Sequence, residues 1–434
     1  MSPDSVSTGY WPSSWPAEDG GPLRQQTCDG AFAGLTDGSP SVVSRDAHGA
    51  TMVVRRDAGE AYLTGHSVGG DSGEQTSWVE RIDPNTLEVL NRCEGLSGGP
   101  AWPGGFAAHA NGSLVVVFGR NIHRLNLDLE VDLSAELPRN RPYNSFVVLP
   151  DGHIVTKDFG GRLPGADESF VAENCEVLVL LPTTFEIVAR VELPEPSIAR
   201  LSADGNTVYV VGDHSLYRMT WNSQSLVLDE AFAPRYRTLE GQTYGWDAVI
   251  ALGAAWFLDN GGGSENYVGT FRGQGISPAP LHLVRVDLAT GEVSLTEICG
   301  LPNGMVANPP LIDERRMIAV GFDSANGVLA AFDIDPDGAT SPRWSVEQNH
   351  GSHMILDPVS GYFLSAHHDN ERWMEQFVVR DIVSGAEAVR LDSGSPLQSV
   401  VFPAVGESRT VFACSFSTVS ALSWRYRWRY EFHR

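Results

Sequence analysis

Histidines are the residues of this chain whose spacing most directly suggests chemistry. Four of the twelve lie close together, His350 and His353 before a short apolar strand, His367 and His368 at the end of the next. Residues 357–361 between them have the composition of a turn. Because an antiparallel neighbour ends where its partner begins, the four imidazoles are predicted to meet at one sheet edge. Such a group could bind a metal, transfer protons near neutral pH, or simply cap strand ends, and the sequence leaves all three open.

The same sequence pattern of two strands joined by a turn recurs about eight times, and these histidines lie in one copy of it. Each unit has an apolar strand, a turn rich in Asp, Gly or Pro, a second strand, a loop, a third strand that ends in an Asp-led turn, and a fourth strand. Units of roughly 40–60 residues with about four strands predict an all-β chain forming a single β-propeller. We expect eight blades; seven is the alternative if residues 196–231 do not form a blade.

The two ends of the chain predict how the ring closes. Residues 1–20 are interpreted as an N-terminal arm, which Trp11 and Trp15 could hold down, and residues 21–434 as the propeller. The last unit has three strands, the third running on from Thr418 with aromatic residues and arginines in alternation. A strand from within residues 22–48 is predicted to supply the missing edge of that blade.

Composition narrows the classes of partner. The formal net charge is −24, which disfavours nucleic acid and anionic membrane surfaces. No apolar run approaches the ~20 residues of a membrane span, and residues 1–20 lack a signal-peptide pattern, so a cytoplasmic protein is expected. The five cysteines are widely spaced without a CxxC pair, which disfavours disulfides and thiolate zinc sites.

Polar residues at the starts of first strands and the ends of second strands are predicted to face one mouth of the channel. The catalytic candidates are His353, His367, Asp247 and Lys157. The substrate-binding candidates are Asn144, Trp246, Asp259, Asn260, Asn308, Gln398 and Arg120. The metal-ligand candidates are His350, His353 and His368, for a divalent ion such as Mn, Fe, Zn or Ca. Glycine clusters after Lys157 and Asp259 would allow close backbone approach to a ligand.

Two resemblances add to these patterns. The turns at residues 83–86 and 287–291 resemble those of the propeller superfamily with YVTN-type and quinoprotein-like repeats, which implies the fold. The tryptophan docking phrase of quinoproteins is absent, so no quinone cofactor is implied. Residues 350–373 together with Gln398 are loosely similar in residue type to propeller lyases of the oligogalacturonate type, which hold a metal through histidines and a glutamine. This second resemblance implies lyase chemistry.

The leading hypothesis is therefore an enzyme acting on a small polar or carboxylate-bearing molecule at the mouth. A metal would polarise its carbonyl or carboxylate while an Asp or a free His moves a proton, giving elimination or hydrolysis. One alternative is a non-catalytic propeller that binds a ligand or a protein there. The other is a histidine-ligated iron oxygenase, for which His66 and His109 are the only further donors. Serine-nucleophile, zincin-helix and phosphate-loop motifs are absent from the sequence.

Overall fold

The chain forms eight four-stranded antiparallel sheets, which confirms the predicted eight-bladed β-propeller. The structure is a computed structural model that describes residues 9–67, 75–166, 169–407 and 409–426. Within these residues helix is confined to two three-residue 3₁₀ turns, Glu18–Gly20 and Ser264–Asn266. The described part of the chain contains no helix long and apolar enough to cross a membrane. All five cysteines are unpaired.

Each blade is a meander whose strands run outward from the channel in chain order, except for the last blade. Strand β1, Gly38–Asp46, precedes the first complete blade. Blade 1 contains β2 (Ala50–Arg55), β3 (Ala61–His66), β4 (Gln75–Ile82) and β5 (Val89–Gly99). Blade 2 contains β6 (Gly105–Ala108), β7 (Leu114–Phe118), β8 (Asn121–Leu125) and β9 (Val131–Glu136). Blade 3 contains β10 (Tyr143–Val148), β11 (Ile154–Asp158), β12 (Glu176–Leu180) and β13 (Ile187–Glu192).

Residues 196–231 contribute a blade of their own, which settles the count. This fourth blade contains β14 (Ser202–Asp204), β15 (Thr207–Val211), β16 (Leu216–Trp221) and β17 (Leu226–Leu228). Blade 5 contains β18 (Val249–Ala251), β19 (Ala254–Leu258), β20 (His282–Asp287) and β21 (Val293–Glu297). Blade 6 contains β22 (Leu311–Asp313), β23 (Ile318–Asp323), β24 (Val328–Ile334) and β25 (Thr340–Glu347). Blade 7 contains β26 (Ile355–Leu356), β27 (Tyr362–Asp369), β28 (Met374–Asp381) and β29 (Glu387–Asp392), and blade 8 begins with β30 (Ala404–Val405), β31 (Thr410–Cys414) and β32 (Thr418–Tyr426).

Burial explains why the strands of a blade differ in composition. Strand β7, with the sequence LVVVF, is buried along its whole length, because the neighbouring blades cover both of its faces. The outermost strand of the same blade, β9, alternates exposed and half-buried residues. Strands with both faces covered therefore read as continuous apolar runs, and the core lies between adjacent blades.

An N-terminal strand closes the ring, as the sequence predicts. Strand β1 pairs antiparallel with β32 in unbroken register, from Gly38 opposite Tyr426 to Asp46 opposite Thr418. The aromatic and arginine alternation beyond residue 426 lies outside the described residues. The buried side chain of Trp424 strengthens the closure, since it stacks on Phe32 and its Nε1 donates to a backbone carbonyl at 3.1 Å.

We predict that Trp424→Ala lowers the free energy of unfolding by about 3–5 kcal/mol, because it empties a fully packed site at the closing seam. Urea denaturation measures the loss. Trp373→Ala is the matched control, since the side chain of Trp373 is 51% exposed, and its loss should be much smaller. Equal losses in the two variants would contradict a specific contribution of Trp424 to closure.

Candidate functional site

The N-terminal arm covers one end of the axial channel. Residues 9–28 run across the ends of the innermost strands and hydrogen-bond to them. Backbone amides of four blades donate to arm carbonyls at 2.8–2.9 Å, in the pairs Ala108 to Pro16, Ala203 to Pro22, Ile250 to Leu23 and Leu356 to Gln26. We call residues 9–28 the plug, because they fill this end of the channel. Their backbone carbonyls accept hydrogen bonds from N–H groups of the inner strands.

The plug brings three charged side chains to the channel axis. Glu18, Asp19 and Arg24 are each at most 5% exposed. The guanidinium of Arg24 donates to Asp19 Oδ2 at 2.8 Å and to Glu18 Oε2 at 3.3 Å, and its Nε donates to the Leu201 carbonyl at 2.6 Å. Buried charges are stable only when they are paired in this way.

Arg200 ties the plug to the wall of the channel. It precedes β14 and donates to Glu18 Oε2 at 2.8 Å and to the Pro103 carbonyl at 2.7 Å. Its guanidinium also lies 4.5 Å from the centre of the Phe402 ring. Arg200 thus connects blade 4, the loop before blade 2, the plug and blade 8.

Asp19, Asp247 and His353 form a compact buried cluster, with one potential ligand atom of each within 4.8 Å of the others. His353 Nδ1 lies 2.7 Å from Asp19 Oδ1. Asp247 Oδ1 accepts the backbone N–H of Arg200 at 2.6 Å, while Asp247 Oδ2 has no hydrogen-bond partner among the described residues. Burial alone would raise the pKa of Asp19, but His353 and Arg24 outweigh burial and lower it. We call these three residues together with Glu18, Arg24 and Arg200 the axial network.

A cavity of about 280 Å³ lies at the opposite mouth of the channel, against the axial network. Aromatic side chains dominate its walls, among them Trp102, Trp246 and Tyr267. Trp102 stacks on Trp246 with ring centres 6.4 Å apart. Arg200, which belongs to the axial network, and Phe402 also line the cavity. Phe402 in turn contacts His353 of the network, with 4.3 Å between ring centres. We call this cavity the mouth pocket.

The loop of residues 261–281 covers part of the mouth pocket, and Gln398 fixes that loop. Gln398 Oε1 accepts the backbone N–H of Phe271 at 2.6 Å, and its backbone carbonyl accepts the Tyr267 hydroxyl at 2.7 Å. Its Nε2 donates to the Asn349 carbonyl at 3.2 Å. Gln398 therefore positions the aromatic residues of the loop and has its own polar atoms occupied.

Four of the residues predicted from the sequence are brought to the axis or the mouth pocket. His353 and Asp247 belong to the axial network, and Trp246 and Asn308 line the mouth pocket. Asn308 Nδ2 donates to the Val400 carbonyl at 3.1 Å, which leaves its side-chain oxygen for other contacts.

The predicted metal set of His350, His353 and His368 is not the set that the structure brings together. Only His353 joins the cluster of potential ligands among the described residues. His350 is fully buried, accepts the Ala366 backbone N–H on Nδ1 at 3.0 Å, and contacts Phe322 edge-on. His368 is held by an Asn370 contact at 2.7 Å. Sequence adjacency in the hairpin was predicted correctly, but side-chain direction separates these rings.

His367 does not belong to the cluster either, and Lys157 is held by contacts outside it. His367 and His368 are consecutive in β27 and therefore point to opposite faces of the sheet. His367 Nδ1 accepts the Asn349 backbone N–H at 3.1 Å, and burial lowers its pKa. Lys157 is buried and donates to the Ser197 carbonyl at 3.1 Å, and burial lowers its pKa as well.

The remaining substrate-binding candidates hold loops and strand ends. Asn144 Nδ2 donates to the Ile198 carbonyl at 2.8 Å, and Asn260 Nδ2 to the Ala279 carbonyl at 2.9 Å. Asp259 Oδ2 pairs with His282 at 2.9 Å, and burial raises its pKa. Arg120 pairs with Glu136 at the outer edge of blade 2.

His66 and His109, the further histidines considered as ligands of an iron centre, lie at different ends of the channel. His109 Nε2 contacts the Gly152 carbonyl at 2.9 Å, on the plug side of the channel. His66 lines the mouth pocket and stacks on Phe118, and burial lowers its pKa. Neither belongs to the cluster around His353.

Sequence reasoning missed Glu18, Asp19, Arg24, Arg200 and Trp102. The first three lie in an arm without strand or helix periodicity, so nothing local predicts that they enter the channel. The one available signal was the acidic pair at 18–19, close to the aromatic residue Trp15, which is almost completely buried.

Comparison with solved structures places the chain in the class of β-propellers. BamB from Moraxella catarrhalis is similar, with a TM-score of 0.57 and 11% identity over 89% of this chain and all of that one. Quinohemoprotein alcohol dehydrogenase from Comamonas testosteroni gives a TM-score of 0.62 and 10% identity over 94% of this chain and 80% of that one. The Dos1 propeller gives 0.56 and 9% over 91% and 96%. At these identities the likeness concerns the fold.

Sequence comparison adds no narrower class. No protein-family model and no curated protein matches the chain.

We predict that His350 makes stability depend on pH. Burial lowers its pKa from 6.5 to about 4, so between these values the unfolded chain binds a proton that the folded chain does not. The contribution of His350 to the free energy of unfolding therefore falls by up to about 3 kcal/mol as the pH drops from 6.5 to 4. Urea unfolding at pH 7, 6 and 5 should show this slope reduced in His350→Gln and unchanged in His48→Gln, whose ring is exposed. An identical slope in His350→Gln would refute the assignment.

Proposed function

We propose that this propeller binds a small, flat, largely apolar molecule in the mouth pocket. The observation that supports this proposal is the cavity of about 280 Å³ with stacked aromatic walls. Ligand sites are typically preformed, mostly apolar and supplied with a few polar groups, at volumes of roughly 300–1,000 Å³. The pocket lies near the lower end of this range, which suits a ligand of one or two rings.

The polar groups of the pocket suggest how such a ligand would be oriented. Arg200 is the one arginine or lysine among the residues that line it. Its Nε is 3.9 Å from the nearest Asp247 oxygen and makes no hydrogen bond with any described residue. A carbonyl or carboxylate oxygen is the ligand group that a guanidinium favours. The ligand would therefore place its ring between Trp102 and Phe402 and its oxygen toward Arg200.

We predict that Trp102→Ala weakens binding of 2-naphthoate at least tenfold, because it removes an aromatic wall of the pocket, and a tenfold change corresponds to about 1.4 kcal/mol. Isothermal titration calorimetry measures the affinity. Trp373→Ala, which removes an exposed indole outside the pocket, should bind as the wild type does. The proposal fails if the wild type shows no saturable binding of 2-naphthoate or of its neutral amide, or if Trp102→Ala binds equally well.

A metal-assisted lyase or hydrolase is the second candidate, and the cluster of Asp19, Asp247 and His353 favours it. Two carboxylates and an imidazole suit Mn, Fe or Zn better than Ca, which prefers six or more oxygen ligands. The unpartnered Oδ2 of Asp247 is a buried acceptor that a cation would satisfy. Such an ion would supply Lewis acidity toward an oxygen of the molecule in the mouth pocket.

The arginines of the axial network weigh against this second candidate. Arg24 already occupies Asp19 Oδ2 at 2.8 Å, so an ion would compete with a guanidinium for the same carboxylate. The shielding of the cluster by Arg200 and Phe402 also separates it from the pocket. Ligand binding therefore ranks above metal-assisted catalysis.

If the cluster holds a metal, the protein purified without chelators should carry about one Mn, Fe or Zn per chain, measured by inductively coupled plasma mass spectrometry. Asp247→Asn and His353→Gln should both lose the metal, because each removes a ligand, while His368→Gln should retain it. Metal contents that do not differ among these variants would exclude a metal at this cluster and leave the ligand-binding proposal untouched.

A further inference from the structure

A second, separate cavity lies between blades 7 and 8. Its volume of about 20 Å³ is enough for one water molecule or one ion. Hydroxyl side chains form much of its wall, among them Ser352, Ser365, Ser399, Ser415 and Ser420. We call it the serine cavity. It meets the axial network only at His353, whose Nδ1 is held by Asp19.

Glu375 lines the serine cavity without a partner for either carboxyl oxygen. The residue is 3% exposed and is the single carboxylate among the lining residues. Its backbone is fixed on both sides, since its N–H donates to the Ser395 carbonyl and its carbonyl accepts the Ser393 N–H. Burial raises its pKa well above the ordinary value, and the nearby Ser399 N–H opposes that shift without making a regular hydrogen bond to either carboxyl oxygen. A buried carboxyl group without a donor is costly and calls for a counter-charge or a proton.

Four of the hydroxyl groups that line the serine cavity donate their proton to a backbone carbonyl. Ser399 Oγ donates to the Cys414 carbonyl at 2.5 Å, and Ser420 Oγ donates to the Ser393 carbonyl at 2.7 Å. Ser352 Oγ donates to the Val401 carbonyl and Ser365 Oγ to the Val378 carbonyl, both at 3.1 Å. A hydroxyl has one proton, so these four groups can offer a ligand only lone pairs. None of the described residues that line the cavity is an arginine or a lysine. The serine cavity therefore holds several oxygen acceptors beside the Glu375 carboxyl group.

We propose that the serine cavity binds one monovalent alkali cation, Na⁺ or K⁺, through the Glu375 carboxylate and the surrounding hydroxyl oxygens. Oxygen donors are the ligands that hard cations prefer. A single carboxylate neutralises one positive charge, whereas a divalent ion would leave an excess charge in the protein interior. The cation bridges β28 of blade 7 to β31 and β32 of blade 8, the blade at which the ring closes.

The thermal midpoint of the wild type measures this binding in NaCl, KCl and tetramethylammonium chloride at equal ionic strength and pH 8. We expect the midpoint to be higher by about 2 °C or more in Na⁺ or K⁺ than in tetramethylammonium, which is too large for the cavity, and to rise with the logarithm of the cation concentration. Glu375→Gln should lose this dependence. Glu371→Gln, which removes an exposed carboxylate of the same blade, should retain it.

Equal midpoints in all three salts, or a cation dependence that persists in Glu375→Gln, would overturn the proposal and leave Glu375 as a neutral acid. If Glu375→Gln does not fold, wild-type crystals grown with Tl⁺ in place of Na⁺ and K⁺ decide the matter. An anomalous peak beside Glu375 is expected, and its absence overturns the proposal. A failure here does not bear on the mouth pocket, which shares no lining residue with the serine cavity.

Discussion

The pairing of buried charges along the channel axis is the constraint on which the rest of this structure depends. Two guanidinium groups, those of Arg24 and Arg200, meet three carboxylates where water is largely excluded. Removing one member of such a set leaves an uncompensated buried charge, at a cost of about 3–5 kcal/mol. The network therefore links the arm to the ring through Arg200 and His353, whatever its net contribution to stability.

The network also has a charge balance that bears on function. With Arg24 and Arg200 positive and Glu18, Asp19 and Asp247 negative, the sum is 2 − 3 = −1. One further positive charge, such as that of a bound monovalent cation, would bring the sum to zero. The unpartnered Oδ2 of Asp247 marks the place where the compensation is incomplete. A bound metal would offset this remaining charge, whereas a ligand oxygen held by Arg200 would not.

Much of the fold was predictable from the sequence because its determinants are local. A turn such as Asp287–Gly291 is encoded by one carboxylate, whose Oδ1 accepts the N–H groups of the next residues at 2.9–3.0 Å. Each such turn separates two apolar runs, so blade count and the closing strand follow from repetition. The site was less predictable because its contacts are remote in sequence. Asp19 and His353 are 334 positions apart, and neither neighbourhood has a pattern that points to the other.

The direction of side chains was the second obstacle. The hairpin brings His350 beside Ala366, as its topology predicts, yet the ring of His350 turns into the core and that of His353 toward the axis. His350 and His353 are three positions apart in an irregular segment before β26, and this spacing points their rings in different directions. Periodicity places residues on a face only within a regular strand, and these histidines lie just outside one.

The number of blades gives the plug and the mouth pocket a common origin. A propeller encloses a central channel, and the more blades surround it, the more space its inner strands leave unfilled. Here the chain fills one end of that space with its own residues 9–28, whose carbonyls satisfy the free amides of the inner strands. The plug contributes no residue to the wall of the mouth pocket. The pocket is thus a part of the eight-bladed channel that the arm does not line, and Arg200, which pairs with Glu18 of the arm, brings positive charge to its wall.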